Sequence, residues 1–360
     1  MKIGILTFHS AANYGAIFQA YGLQEVLKAL GHEVYIVNYQ PDYIQKNYRA
    51  FNYTFRPHKS WTFNLKLMIL SVLTYPLRQK RNWTFAGFRK RHLQLCSLQE
   101  VNHLDVIFVG SDQIWNPLLT GHGFDEMYLG SSTLLKKKCK IAYAASAGCV
   151  KSLGANTKLV DALHSFSAIS VRERSLSSYL SNSLNTFIPV VLDPVLLAGK
   201  EIFQHIALPG CFQTPYLLIF QLAGNMRVSQ LGHFIAQEKG LQCIEIRASA
   251  ETFKRNIHST CAPAKVLGYF LNAAYVITSS FHGTALSLLF EKSFNVVSIS
   301  PETDERADLL LCSLGLQSRK INDDDLYDGC EIDYSNINMR LKEKRKESLD
   351  FITQAIASIS

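Results

Sequence analysis

YVITSSFHGTALSLLF, residues 275–290, joins two kinds of segment through one polar hinge. Tyr275–Thr278 is apolar and partly β-branched, as a strand buried in a parallel sheet is. From Gly283 the chain reads as an apolar helix. Between them Ser279, Ser280, Phe281, His282, Gly283 and Thr284 crowd hydroxyls, a histidine and a glycine into one turn. A strand that hands over to a helix in this way is half of a β-α-β unit. The helix start leaves backbone N–H groups free, and these favour an anion. Ser279 or Ser280 is read as the cap, and Gly283 as the point where backbone approaches a ligand without a Cβ in the way. His282 is read as a titratable group beside that anion.

The same rhythm extends in both directions. KIGILTF at the N-terminus reads as a buried strand. Asn13 caps a helix with Ile17, Ala20, Tyr21, Leu23, Leu27 and Leu30 on its apolar face, and Gly31 ends it. EVYIVNY follows as a strand. DVIFVGSD (105–112), KIAYAAS (140–146), AISVRE (168–173) and IPVVLDP (188–194) are further apolar runs with polar tips. A second series starts at Tyr216 with YLLIFQL, continues through a helix over Met226–Lys239 and LQCIEIRA, and passes the opening stretch to NVVSIS. A helix across Asp304–Leu314 and an amphipathic one over 337–358 close the chain. This alternation predicts an α/β protein of two Rossmann-like domains facing across a cleft. The predicted units are an N-terminal domain over 1–198, a C-terminal domain over 199–335, and a final helical segment over 336–360.

Bulk properties agree and exclude. A chain of 360 residues with 48% hydrophobic and 18% charged residues has core for two domains. Its eight cysteines form no CxxC pair and no cluster with histidine, which argues against a zinc site or a disulfide framework. No run of about twenty apolar residues is present, so no transmembrane span is predicted. The acidic run Asp323–Asp325 reads as solvated surface. The net charge of +8 is local: residues 43–99 hold eleven lysines and arginines and no acid, leaving −3 for the rest. That insert is interleaved with aromatic residues and contains the aliphatic run Leu67–Leu73. An anionic membrane surface, a structural subdomain and nucleic acid all compete for it. Aliphatic residues suit a lipid surface and serve no purpose in a nucleic-acid groove.

Five strand tips carry chemistry-bearing residues: His9 to Gly15, Gly110 to Asn116, Ser170 to Glu173, Asp193-Pro194, and Ser279 to Thr284. Asp112 and Arg172 each end an apolar strand, where an ionisable group is partly desolvated. The signatures GxxxxGK[ST], HExxH and GxSxG are absent, and no GxGxxG follows the first strand.

Taken in order, ILTFHSAANYGAIFQAYGLQ (5–24), GSDQIWNP (110–117), SVRERS (170–175), LDPVLL (192–197) and SSFHGTALS (279–287) resemble the polysaccharide pyruvyl transferase family; LLCSLGLQSR (310–319) is a weaker match. The resemblance implies a fold similar to GT-B glycosyltransferases. It implies phosphoenolpyruvate as co-substrate, no metal and no further cofactor, and a glycan or lipid-linked sugar acceptor of a bacterial capsular or exopolysaccharide precursor. The implied product is a cyclic pyruvate ketal, with phosphate released. His282 is then the general acid, Arg172 a donor-binding catalytic residue, and Asp112 or His282 itself the base for the sugar hydroxyls. Ser280, Gly283, Thr284 and Arg306 are expected on the donor, and His9, Asn13, Tyr14, Gln113, Trp115 and Asn116 on the acceptor. Some family members carry R-x-H-G where this chain has Ser280, and Arg306 is the expected stand-in. A cytoplasmic location is expected, with peripheral contact to an anionic membrane and no nucleic-acid partner. The alternatives are a GT-B glycosyltransferase using a nucleotide sugar and a non-catalytic glycan-binding member.

Overall fold

The computed structural model describes residues 1–121, 123–154, 157–210, 214–248, 257–322 and 327–359; the acidic run Asp323–Asp325 lies outside them. The first half runs β1 (Lys2–Leu6), α1 (Tyr14–Ala29), β2 (Glu33–Val37), α2 (Asp42–Asn47), α3 (Trp61–His92) and β3 (Leu95–Cys96). It continues with β4 (Val106–Val109), β5 (Cys139–Ala145), α4 (Lys158–Leu163), β6 (Ala168–Val171) and α5 (Arg174–Leu184). Two short helices, α6 (Pro194–Ala198) and α7 (Lys200–Ile206), lead into the second half. There β7 (Tyr216–Gln221), α8 (Met226–Glu238), β8 (Gln242–Arg247), β9 (Ile257–His258), α9 (Pro263–Asn272) and β10 (Tyr275–Thr278) follow. The chain ends with α10 (Phe281–Leu289), β11 (Ser293–Val297), α11 (Pro301–Leu314), β12 (Lys320–Ile321) and α12 (Tyr334–Ala357).

The strands form two six-stranded sheets, ordered β3-β2-β1-β4-β5-β6 and β12-β11-β10-β7-β8-β9. The named pairings are parallel in both. Counted within its own half, each sheet has the doubly wound order 3-2-1-4-5-6, so the α/β architecture of two Rossmann-like units is the one observed. The order reverses between β1 and β4 in one sheet and between β7 and β10 in the other. Beyond the carboxyl ends of the strands at such a reversal, diverging connections leave a crevice for a ligand.

Continuous apolar strands are explained by burial on both faces: Ile3, Ile5 and Leu6 have no exposed surface, and neither do Val276 and Ile277. Helix α1 is buried almost all round, because it lies between the first sheet and α6. Leu30, expected on its apolar face, is exposed; the helix ends at Ala29, and Gly31 at φ +87° turns the chain away. The run 188–194, expected as a strand, makes a single parallel bridge, Val171 with Val190. Pro189 has no N–H to donate, the Leu192 N–H goes to the Ser348 hydroxyl (3.0 Å), and Asp193 already caps α6.

The halves are not separate bodies of core. One apolar cluster runs from Ile3 and Phe18 through Leu196 to Val276 and Phe294. Helix α12 returns across the junction, where Arg345 Nε donates to the Leu196 carbonyl (2.7 Å). Arg81, one of the eleven cations of the insert, is buried and so is not part of any basic surface. Its guanidinium donates to the carbonyls of Ala12 (2.7 Å) and Ser259 (3.0 Å) and to the Tyr14 hydroxyl (3.2 Å). It also lies 4.7 and 4.6 Å from the ring centres of Tyr14 and Phe85. Removing it strands three acceptors. Arg81→Ala is expected to cost about 3 kcal/mol in urea unfolding, and Arg81→Lys to restore less than half, since lysine lacks the planar fork. A loss below about 1 kcal/mol, the scale of an exposed pair, would contradict this.

Candidate active site

The hinge quoted at the outset is built to hold His282 still. Ser280 is the N-cap of α10, and its Oγ accepts from the Gly283 N–H at 3.0 Å. Thr278 Oγ1 donates to the Phe220 carbonyl (2.8 Å), and Thr284 Oγ1 to the Ser280 carbonyl (3.1 Å). A Cβ added at Gly283 would lie 2.0 Å from Thr278 Oγ1, so this glycine admits the neighbouring side chain rather than a ligand. Ser280, Gly283 and Thr284 are thus committed to the helix start. Their hydroxyls and the Gly283 N–H build the pedestal under His282. The helix begins at Phe281, two residues before the expected start.

On this pedestal His282 is buried, and burial pushes its pKa down to about 4, with the Arg172 cation acting in the same direction. Its Nε2 lies 3.7 Å from Asp193 Oδ2. That oxygen also receives Arg172 Nη1 and lies 3.5 Å from Ser111 Oγ, while Oδ1 caps α6 by accepting from the Val195 N–H (2.9 Å). Burial would raise the Asp193 pKa, but the Arg172 cation, with the hydrogen bonds from the Val195 N–H and Arg172, outweighs it and holds the carboxyl below its ordinary value. One carboxylate therefore binds the tip of β6, the start of α6 and the start of α10.

Arg172 and Arg306 both lie against the Phe281 ring, at 5.1 and 5.6 Å from its centre. Arg172 Nε and Nη2 and Arg306 Nε are buried with no hydrogen-bond partner among the described residues. With Arg174 and Lys344 they line a cavity of about 230 Å³ whose remaining wall is mainly aliphatic and also holds Asp193 and Glu347. Gln113, with its amide oxygen turned to Arg306, accepts from both terminal nitrogens (3.2 and 2.7 Å). Asp112, at φ +52°, completes the cluster; its charge raises the His282 pKa and that of Arg172.

From the other half, the first turn of α1 presses on the imidazole. A Cβ at Gly15 would sit 2.1 Å from His282 Nδ1. Asn13 caps that turn by accepting from the Ala16 N–H (3.2 Å). Gln113 and Asn116 lie against Gly148, where a Cβ would meet them at 2.5 and 2.7 Å. Three residues expected at the acceptor are not offered to it. His9 is fully buried between Thr7 and Asn38, Tyr14 donates its hydroxyl to the Cys261 carbonyl (2.9 Å), and Trp115 gives Nε1–H to the Tyr128 carbonyl (3.1 Å) within the core.

A family model described as polysaccharide pyruvyl transferase matches residues 13–301. The chain belongs to the polysaccharide pyruvyl transferase family. No curated protein matches it. Among solved structures it is similar to UDP-N-acetylglucosamine 2-epimerase from Rickettsia bellii (9% identity, 100% of this chain and 95% of that one, TM-score 0.47). It is also similar to a UDP complex of MnaA from S. aureus (9%, 95% and 87%, 0.46) and to the E. coli heptosyltransferase WaaC (10%, 97% and 99%, 0.41).

In the sequence of this pyruvyl transferase family member, Asp193 and Gly15 stand at strand tips with no role attached to them, and Lys344 is not singled out at all. The acid of LDPVLL was visible as a strand tip, but its partners lie 21 and 89 residues away. Arg306 and Lys344 stand beyond the matched residues 13–301 and reach the cavity from α11 and α12. The ¹⁵N signals of His282, assigned by their loss in His282→Gln, are expected to stay neutral from about pH 5.5 to about pH 8, since desolvation favours the uncharged ring. Because Asp193 raises that pKa, Asp193→Asn lowers it further; a midpoint near 6.5 would contradict the geometry. Gly15→Ala is expected to displace the ring and slow turnover about a hundredfold. Gly87→Ala, where a Cβ meets open space, is the control.

Proposed function

We propose that the protein transfers the pyruvyl group of phosphoenolpyruvate to two hydroxyls of one sugar in a bacterial surface-glycan precursor, closing a cyclic ketal and releasing phosphate. The observation that supports this most is the cavity beside Asp193. Its four cations outnumber Asp193 and Glu347 in the same lining and suit a donor that carries both a phosphate and a carboxylate, and three guanidinium nitrogens, Arg172 Nε and Nη2 and Arg306 Nε, are buried with no partner among the described residues. At about 230 Å³ it is small for a nucleotide sugar, given that pockets for drug-sized ligands run from about 300 Å³ upward. Arg306 serves where other family members have an arginine two residues before the histidine, since Ser280 here is the helix cap.

The atoms balance without an outside acid. The first sugar hydroxyl adds to the carbon that bears the phosphate ester, and its proton converts the methylene to the ketal methyl. The second hydroxyl displaces phosphate at the same carbon, and its proton leaves on the phosphate. His282 rests neutral, so it begins as the acceptor of the hydroxyl proton rather than as a general acid, and it passes that proton on as imidazolium. Asp193, 3.7 Å away, stabilises the imidazolium, and Arg172 and Arg306 hold the departing phosphate. Asp112 is the candidate base for the second hydroxyl. Asn13, which caps the turn packed on His282, Gln113, which meets Arg306, and Asn116, which lies beside Gln113 and Gly148, are assigned to the acceptor.

The test is acceptor-dependent phosphate release from phosphoenolpyruvate, with the ketal methyl followed by ¹H NMR over a panel of aryl and lipid-linked hexosides. His282→Ala, Arg172→Lys and Arg306→Lys are each expected to lower turnover about a hundredfold or more. Thermal stabilisation by UDP but not by phosphoenolpyruvate would replace this reading with a nucleotide-sugar glycosyltransferase.

A further inference from the structure

One large surface takes no part in this site. Helix α3 spans 32 residues, and Asn64, Ser71, Thr74, Arg81, Phe85 and Phe88 face inward. Along its first two-thirds that inner side is polar. Asn64 pairs with the backbone of Arg56 through both ends of its amide (2.8 and 3.0 Å), and Ser71 donates to the Asn52 carbonyl (2.8 Å). The outer side is the apolar one. Trp61, Leu65, Met68, Val72, Tyr75 and Trp83 recur at the spacing of one helical stripe, roughly 33 Å long at 1.5 Å per residue. Trp61 is 73% exposed, Val72 57% and Trp83 67%. A helix with its amphipathicity turned outward is made for surroundings other than water.

Charge decides between occupants. Residues 43–99 contain no acid, and Lys59, Lys66 and Lys80 are exposed in the same segment. A second copy docked on the same face would set cation against cation. Nucleic acid would leave the aliphatic stripe in water. An anionic bilayer complements both the charge and the apolar stripe. We propose that α3 lies in the plane of an anionic lipid surface, with the stripe from Trp61 to Trp83 inserted at the headgroup boundary. The segment lies on the membrane rather than across it, for no described helix is long and apolar enough to span one.

The same helix reaches the crevice. Arg81 holds the Ala12 carbonyl and Arg89 donates to that of Ser10 (3.4 Å), beside Asn13 and Gly15. If the proposed reaction is right, this brings a lipid-linked sugar to the acceptor side of the site. The lipid contact itself stands on the surface alone.

The experiment is flotation with phosphatidylcholine vesicles, with and without phosphatidylglycerol. Wild type is expected to float with the anionic vesicles only, and tryptophan emission to shift to the blue, since Trp61 and Trp83 are exposed and Trp115 is buried. Trp61→Ser with Val72→Ser and Trp83→Ser, and separately Lys59→Gln with Lys66→Gln and Lys80→Gln, should each weaken binding about tenfold or more, with turnover of a soluble acceptor unchanged. Brominated lipids quenching the wild-type tryptophans give a reading that needs no variant. Failure to bind anionic vesicles, equal binding by both variants, or a concentration-dependent dimer lost in the apolar variant would overturn the proposal. Vesicle binding by a protein that releases no phosphate would refute the reaction and leave the surface standing.

Discussion

The carboxylate of Asp193 is the constraint around which the molecule is organised. It is buried, it anchors Arg172 from the last strand of the first sheet, it starts α6, and it faces His282 at the tip of β10. A charge in such a place is tolerated only when its partners are fixed, and taking one partner away leaves the other stranded at a cost of about 3–5 kcal/mol. Packing has accordingly been shaped to fix them. Gly15 lets α1 close against the imidazole, Gly283 lets Thr278 brace the helix start, and the Ser280 hydroxyl takes the Gly283 N–H.

What remains unsatisfied in this frame defines its chemistry. Arg172 spends one nitrogen on Asp193 and keeps two buried and unpartnered, and Arg306 keeps Nε. In a low-dielectric cavity such donors are costly until an anion arrives, and that anion gains more from them there than it would in water. The neutral histidine beside them has the complementary property. Burial keeps its proton off, and Asp193 stands ready for the charge that a proton transfer would create.

The boundary between core and surface is unusual in the insert. Arg81 and Arg89 leave the basic surface to bind backbone carbonyls near the crevice, whereas the aliphatic residues of α3 remain outside. Charge count alone treats all eleven cations alike. Their division into structural and surface groups depends on which helical face meets Ala12 and Ser259.

The sequence by itself determined whatever is set within a few residues. Apolar runs with polar tips marked the strands, Asn13 and Ser280 marked helix starts, and the ordered tips identified the family and placed His282 and Arg172 at strand ends. These features depend on periodicity and on hydrogen bonds three or four residues long. Which tips meet is a property of the folded chain. The fold assigned Asp193 to Arg172 across 21 residues and Arg81 to Ser259 across 178, placed Trp115 and His9 in the core, and gave Gly283 a packing role. Burial and long-range pairing depend on the path of the whole chain, and no local pattern encodes the partner of a buried charge.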